Sequence, residues 1–235
     1  MLIYLLDTSG PTAGIALWQD GTIRYEAVVN HHMTHSEAAL PMTEEAYQKT
    51  GLTLAKTDYF AVIAGPGSFT GVRIGVTTVK ALAKAENKPC VPVSALEAMS
   101  RSQGRFDGVV CPMQNARRGQ VYAAVFDGLT GANLLEDQPI ALDDLIVQAV
   151  QLAAGRPVLL TGDGMTAYRG DLEQMGRPEL VFADASHAYL RPASAVVLAA
   201  EQIGRAVNAD VLKPYYLRPP QAVRQRNLVE KAEHE

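Results

Sequence analysis

Ala61-Val-Ile-Ala-Gly65-Pro66-Gly67-Ser68-Phe69-Thr70-Gly71-Val72-Arg73-Ile74-Gly75 is the stretch on which the reading of the chain turns. The apolar run through Val62 and Ile63 reads as a buried strand of a parallel sheet, covered on both faces and so without alternation. It stops at Gly65-Pro66-Gly67, where glycine permits backbone angles closed to residues that carry a side chain. Ser68 or Thr70 then caps a helix running through Lys80 and Leu82 to about Glu86. Asn87-Lys88-Pro89 ends it, because proline disfavours helical geometry in the residue before it.

Such a strand–loop–helix has two physical readings. A glycine loop feeding a helix N-terminus exposes free N–H groups and the positive end of a dipole, which suits an anion. The spacing matches neither G-x-G-x-x-G nor G-x-x-x-x-G-K-[ST], so the usual nucleotide fingerprints fail. The other reading concerns the helix. Gly71, Gly75 and Thr78 recur at intervals of four and three, leaving one face almost bare. Glycine inside a helix costs roughly 1 kcal/mol relative to alanine, so two in the first turns point to a close backbone neighbour. Spacing alone does not say whether that neighbour is the chain's own sheet or another protein.

Outward from this stretch, Ile3 to Leu6 reads as a strand ending at Asp7-Thr8-Ser9-Gly10. Gly14 to Trp18 is a second strand, and Asp20-Gly21 is a hairpin turn leading into Thr22 to Val29. Thr34-x-x-Glu37 has the capping-box pattern and opens a helix to about Thr50, with Gly51 at its C-terminal position. A second such pattern, Ser94-x-x-Glu97, follows a short strand at Cys90 to Val93. Beyond Gly104-Arg105 the order repeats: strands at Val109 to Met113, Val121 to Phe126 and Asn133 to Ile140, with Asp127-Gly128 as the turn. An amphipathic helix on Leu142, Leu145, Ile146, Ala149, Val150 and Ala153 comes next. A strand at Val158 to Thr161 runs into Gly162-Asp163-Gly164, and a helix opens at Pro192 and continues through Val207. The expectation is an α/β protein of two lobes, each β-β-β-α-β-α, at residues 1–104 and 105–220. The last helix and tail are expected to pack back on the first lobe, with a polar, mobile tail at 221–235.

The 235 residues, 48% hydrophobic and 20% charged, suffice for two lobes with ample core. A net charge of −4 argues against an autonomous nucleic-acid binder. Cys90 and Cys111 lack a C-x-x-C spacing and fit a reduced, cytoplasmic setting. The apolar start, Met1 to Asp7, has no basic leader and reads as a buried strand rather than a signal peptide or a membrane span.

The Gly65–Gly75 motif resembles the signature of the TsaB (YeaZ) family of bacterial tRNA-modification proteins. The resemblance extends to Asp7-Thr8-Ser9, His35-Ser36-Glu37 with Leu40-Pro41, Pro92 to Ala98, Gly162-Asp163-Gly164 and Pro214-Tyr215-Tyr216-Leu217-Arg218. It implies an actin-like, sugar-kinase-like (ASKHA) ATPase fold of two lobes. It also implies a part in making N6-threonylcarbamoyladenosine beside the anticodon of tRNAs reading A-starting codons. In that family the transfer chemistry belongs to a paralogous subunit, TsaD. TsaB is its essential, non-catalytic partner, a homodimer in isolation, and a small ATPase, TsaE, joins the pair. The contact surface implied here is Ser68, Phe69, Thr70, Gly71, Val72, Arg73, Gly75 and Thr78, with His35. That favours an external neighbour for Gly71 and Gly75. Contact with tRNA would be indirect, and ATP or ADP with Mg would bind only in the complex with TsaD and TsaE.

Catalysis by the chain alone finds thin support. His31-x-x-x-His35 has the spacing of a metal pair, but it precedes the Gly-rich unit, unlike the His-x-x-x-His of TsaD-type proteins, so no metal is expected. Asp7 ends the first strand where an actin-like ATPase places a carboxylate near Mg–nucleotide. Thr8 and Ser9 would then offer donors to phosphate, and Gly162, Asp163 and Gly164 a counterpart in the second lobe. These six residues are the candidate nucleotide contacts, and an actin-like small-molecule kinase or ATPase is the alternative function. Ser68 lies in Gly67-Ser68-Phe69-Thr70-Gly71, not in a nucleophile elbow, and is expected as a cap. Arg117, Arg118, Arg224 and Arg226 read as solvated charges.

Overall fold

A continuous apolar run at Leu2–Leu6 and a tight Asp20-Gly21 turn fold the start of the chain into a meander. The computed structural model describes residues 1–30 and 34–218. Strands Leu2–Asp7 (β1), Ala13–Gln19 (β2) and Thr22–Val29 (β3) pair antiparallel. Asp20 and Gly21 take φ of 47° and 89°, the left-handed pair that such a two-residue turn needs. Helix His35–Thr50 (α1) follows, with the Thr34/Glu37 capping box formed and Gly51 left-handed behind it. Strand Tyr59–Gly65 (β4) pairs parallel to β1, helix Phe69–Ala85 (α2) leads away from it, and Cys90–Ser94 (β5) closes a sheet of order β3-β2-β1-β4-β5. Helix Ala95–Ser102 (α3) completes the lobe.

The second lobe repeats this wiring. Strands Val109–Arg117 (β6), Gln120–Asp127 (β7) and Asn133–Ala141 (β8) form the meander, then come helix Leu142–Ala153 (α4) and strand Val158–Thr161 (β9). Short helices Asp163–Ala167 (α5) and Arg169–Gln174 (α6), strand Leu180–Phe182 (β10) and helix Pro192–Glu201 (α7) complete it. The sheet order β8-β7-β6-β9-β10 is that of the first lobe strand for strand, with the same senses of pairing. The repeat is longer than expected: each unit continues into a fifth strand and a further helix. The counterpart of α2 is α5, and the Pro192 helix is the counterpart of α3. That helix also ends at Glu201 rather than Val207. A 3-10 turn at Ile203–Arg205 frees Val207, whose backbone exchanges two hydrogen bonds of 2.8 Å with Cys90.

The layers run helix, sheet, helix, sheet, helix. Tyr4, Leu6, Phe60 and Val62 face α1 and α2, whereas Ile3, Leu5, Ala61 and Ile63 face the other way. Covered on both sides, β1 and β4 lose the alternation of an exposed strand. Between the sheets, α3 and α7 bury Leu96, Met99, Val196 and Leu198 together with Ile3 and Leu5 of β1 and Ala124 and Phe126 of β7. Although α7 follows the second lobe in sequence, it packs on β1 and β2 of the first. On the far side α4 sets Leu145 and Ile146 against Val109, Cys111 and Met113. The architecture is an α/β arrangement of two repeated lobes, each built on a five-stranded sheet of the same strand order. No helix among the described residues is long and apolar enough to cross a membrane. The expected tail at 221–235 lies outside the described residues.

Candidate functional site: the start of α2 and the cleft between the lobes

Ser68 caps α2: its hydroxyl accepts the Gly71 N–H at 3.3 Å, and its own N–H donates to the Ser9 carbonyl at 2.7 Å. The cap expected at Ser68 is therefore the one formed. Gly65 and Pro66 are joined by a cis peptide bond, and Gly65 takes φ of 130°, open to few residues other than glycine.

The glycines of α2 face inward. A Cβ at Gly71 would collide with the Thr8 carbonyl oxygen, and one at Gly75 would stand 2.5 Å from the Thr8 hydroxyl oxygen. Thr8 Oγ1 donates to the Gly71 carbonyl at 2.7 Å. The close neighbour that the spacing demands is thus the chain's own β1 end. This corrects the expectation that Gly71 and Gly75 are bared for a second protein; Val72, 1% exposed, is also withdrawn. Of the other expected contact residues, Ser68, Thr70 and Arg73 are exposed, and Phe69, Thr78 and His35 are half-buried. His35 Nε2 lies 3.0 Å from the Gly10 carbonyl oxygen. His31, the other half of the histidine pair, lies outside the described residues.

The candidate nucleotide contacts are mostly closed. Asp7, Thr8 and Ser9 are each at most 2% exposed. Asp7 Oδ1 accepts from Ser9 N at 2.8 Å and from Ser9 Oγ at 2.7 Å. Burial raises the Asp7 carboxyl above its ordinary range, opposed by the two Ser9 hydrogen bonds and nearby His35. The Thr8 and Ser9 hydroxyls are spent inside the fold, so they are not the open phosphate donors expected. A Cβ at Gly162 would strike the Met113 carbonyl oxygen, and one at Gly164 would lie 3.0 Å from the same residue's backbone. Those glycines let α5 start against β6, just as Gly71 lets α2 start against β1. Asp163 alone of that trio opens onto a cleft, where its Oδ2 accepts the Asn115 N–H at 3.4 Å and burial raises its carboxyl.

That cleft, about 610 Å³, runs between the lobes. The first lobe supplies Ser9, Gly10 and Pro66 to Thr70; the second supplies Gln114, Asn115, Arg117, Tyr122 and Asp163. Gln114 and Tyr122 are cross-strand neighbours on β6 and β7, and they point from the sheet face that looks toward the first lobe. The end of the described chain crosses the cleft as a strap. Tyr215 N donates to the Ala64 carbonyl at 2.7 Å, Tyr216 stacks on Phe69 at 4.9 Å, and the Arg218 guanidinium lies 5.8 Å from the Tyr122 ring centre. Gln114, Tyr122 and the Tyr215 contact escaped sequence reasoning; the excess of aromatics in Tyr215-Tyr216 was their one visible signal.

The family model described as TsaD, tRNA N6-adenosine threonylcarbamoyltransferase, matches residues 30–222. The TsaB protein of Bacillus subtilis (strain 168) is 32% identical over 224 residues, 94% of this chain and 96% of that protein. The chain belongs to the TsaB (YeaZ) family. TsaB of Escherichia coli (strain K12) is 29% identical over 93% of this chain and 95% of its own length. In a solved structure, YeaZ of Pseudomonas aeruginosa shares the fold with a TM-score of 0.75 at 27% identity, over 92% of this chain and 99% of that one. By contrast, a TsaD protein from Sphingopyxis alaskensis aligns over only 68 residues, 20% of its length. Similarity to the TsaB proteins thus runs end to end, whereas similarity to this transferase covers a fifth of its length.

Proposed function

We propose that this TsaB-family protein serves tRNA threonylcarbamoyladenosine biosynthesis as an essential, non-catalytic subunit. In this reading it docks on a TsaD transferase, with TsaE joining the pair and self-association in TsaD's absence, in the cytoplasm. Full-length TsaB relatives, named for that pathway, support it. So does the inward turn of Asp7, Thr8 and Ser9, which leaves an actin-like kinase or ATPase without its open phosphate loop. Nucleotide with Mg, if used, belongs to the assembled complex.

The observation that carries the docking reading is the outward face of α2. Thr70, Arg73, Thr77 and Ala81 are exposed along it, with Ile74 and Thr78 half-buried beside them. Over three turns the charges on this face are Arg73, which lies over the Phe69 ring at 4.9 Å, and half-buried Lys80, whose ammonium donates to the Asp210 carbonyl at 2.8 Å. On α1, which packs against α2, Leu40 is 56% exposed. A sparsely charged helix face with a protruding leucine suits burial against a partner.

Thr77→Glu, on this face and away from the core, tests the assignment. Co-elution with TsaD on a sizing column should be lost, and with it adenosine modification in a reconstituted mixture. Modification that proceeds undiminished when the protein is omitted removes the function. Intact co-elution of Thr77→Glu removes the surface.

A further inference from the structure

The wall of the inter-lobe cleft holds an unmet polar group. Gln114 is 5% exposed and lines the cleft, and its Oε1, itself turned away from solvent, has no hydrogen-bond partner among the described residues. Leaving a buried acceptor unpaired is costly and calls for an explanation, and a turn of the carboxamide about its last torsion would bring this oxygen round to the cleft. The surroundings indicate what it would meet there. Arg117 and Arg218 also line the cleft, beside the rings of Tyr122, Tyr215 and Tyr216. Neither arginine is in an ion pair among the described residues.

Arg117, Arg118 and Gly119 take φ of 65°, 57° and 70° in succession at the β6–β7 turn. Two arginines in left-handed geometry are held there at a cost that glycine or asparagine would avoid. Arg118 is exposed and lies outside the cleft lining, so the turn extends the positive charge beyond the cavity.

We propose that the cleft receives one unpaired nucleotide of an RNA strand, with Gln114 meeting the base edge, Tyr122 its face, and Arg117, Arg118 and Arg218 the phosphates. A carboxamide pairs with an adenine edge through one acceptor and one donor, and rotation about its last torsion presents either end. Aromatic rings stack unpaired bases with little regard to sequence. Asp163, at the same wall, is placed to accept from a ribose hydroxyl. A free mononucleotide shares this chemistry within the cavity but has no use for Arg118, which is the argument for a strand. The net charge of −4 does not oppose it, because a strand feels the local field of the turn. The cleft meets α2's outer face at Thr70, but Thr77 of that face lies outside the cleft lining, so failure here leaves the docking reading and its Thr77→Glu test standing.

The test is fluorescence anisotropy of a labelled single-stranded, adenine-containing RNA with the isolated full chain, set beside calorimetry with AMP. Binding should weaken with salt at a log–log slope of roughly −2, about −0.7 for each of three phosphates. Arg118→Gly and Arg117→Gly suit the left-handed backbone and keep the fold. Each should lower the slope by about 0.7. Gln114→Met removes the unpaired amide at similar volume; it should leave Tm unchanged or raised while weakening RNA about tenfold. No binding at about 100 μM RNA, the weak end of non-specific affinity, overturns the proposal. So does affinity indifferent to these substitutions. Binding of AMP and RNA alike, untouched by Arg118→Gly, overturns the strand in favour of a free nucleotide.

Discussion

Thr8 and Gly71 are tied at 2.7 Å, hydroxyl to carbonyl, so the end of β1 and the first turn of α2 move as one piece. The bond needs the helix to lie within side-chain thickness of the strand end, which only glycine at 71 and 75 allows. The second lobe solves the same problem with Gly162 and Gly164 against Met113. Both lobes thus set a helix start directly over the first strand of their sheet, without residue identity between them. The fold needs its glycines first; any partner meets what those glycines leave on the other side.

Gly75→Leu therefore acts on stability. The new side chain would begin 2.5 Å from Thr8 Oγ1 and 3.4 Å from a Val62 methyl, with both neighbours in the core. Overpacking of this kind costs about 1–3 kcal/mol, a fall in Tm of roughly 2–12 °C for a chain this long. Thermal unfolding followed by circular dichroism measures it. A variant as stable as the parent would mean that α2 stands further from β1 than described.

Much of this was legible in the sequence, where the deciding physics is local. Asp20-Gly21 forces a left-handed turn whatever surrounds it, and Thr34 with Glu37 closes its box within one helical turn. The element order of both lobes followed from such signals. Ser94-x-x-Glu97 shows where locality ends. Ser94 accepts the Glu97 N–H at 3.4 Å, but the Glu97 carboxylate takes Gln202 Nε2 at 3.0 Å instead of reaching back. The direction in which Gly71 and Gly75 face is likewise a tertiary fact, because a bare helix face has the same spacing turned in or out. Strand β10, of three residues, and the short α5 and α6 carry too little pattern to be read. The cleft depends on register: Gln114 and Tyr122 become neighbours only once β6 pairs with β7.

Asp127 makes stability depend on pH in the acid range. Its carboxylate accepts from Thr130 N and Thr130 Oγ1 at 2.9 Å and pairs with Arg156, also at 2.9 Å. The Thr130 hydrogen bonds first, then Arg156, hold its pKa down to about 2. A carboxyl depressed on folding stabilises the native state above its unfolded pKa, near 3.9. That contribution is lost as pH falls from about 4 to about 2. Urea denaturation of the parent and Asp127→Asn should show a gap at pH 6 that closes toward pH 2. A gap independent of pH contradicts the assignment.

The two thiols are predicted to be silent in the native state. Cys90 and Cys111 are both fully buried, and burial pushes their pKa up to about 11 and about 12. Only the thiolate attacks a disulfide reagent, so Ellman's reagent at pH 8 should find almost none. Both should react at once in guanidinium chloride. Rapid labelling of either in the folded protein would show an opening of β5 or β6 that the packing forbids.

The strap over the cleft is held by three contacts, and Gly65 is the position that controls them. A Cβ there would collide with the Tyr215 carbonyl oxygen, and the φ of 130° is itself unfavourable for alanine. Gly65→Ala should push the strap away, breaking the Tyr215–Ala64 hydrogen bond and the Tyr216–Phe69 stack while leaving both sheets in place. Strain of this type costs about 1–3 kcal/mol, so the open population should rise by about 5- to 150-fold. Chymotrypsin reports it, since cleavage after Tyr215 and Tyr216 follows the open fraction when reclosing is fast. Tyr216→Phe, which keeps the stacked ring, is the control and should be cut after Tyr215 at the parent's rate. Equal rates for Gly65→Ala and the parent would show that the strap already stands open, and that the Gly65 backbone shape answers to something other than Tyr215.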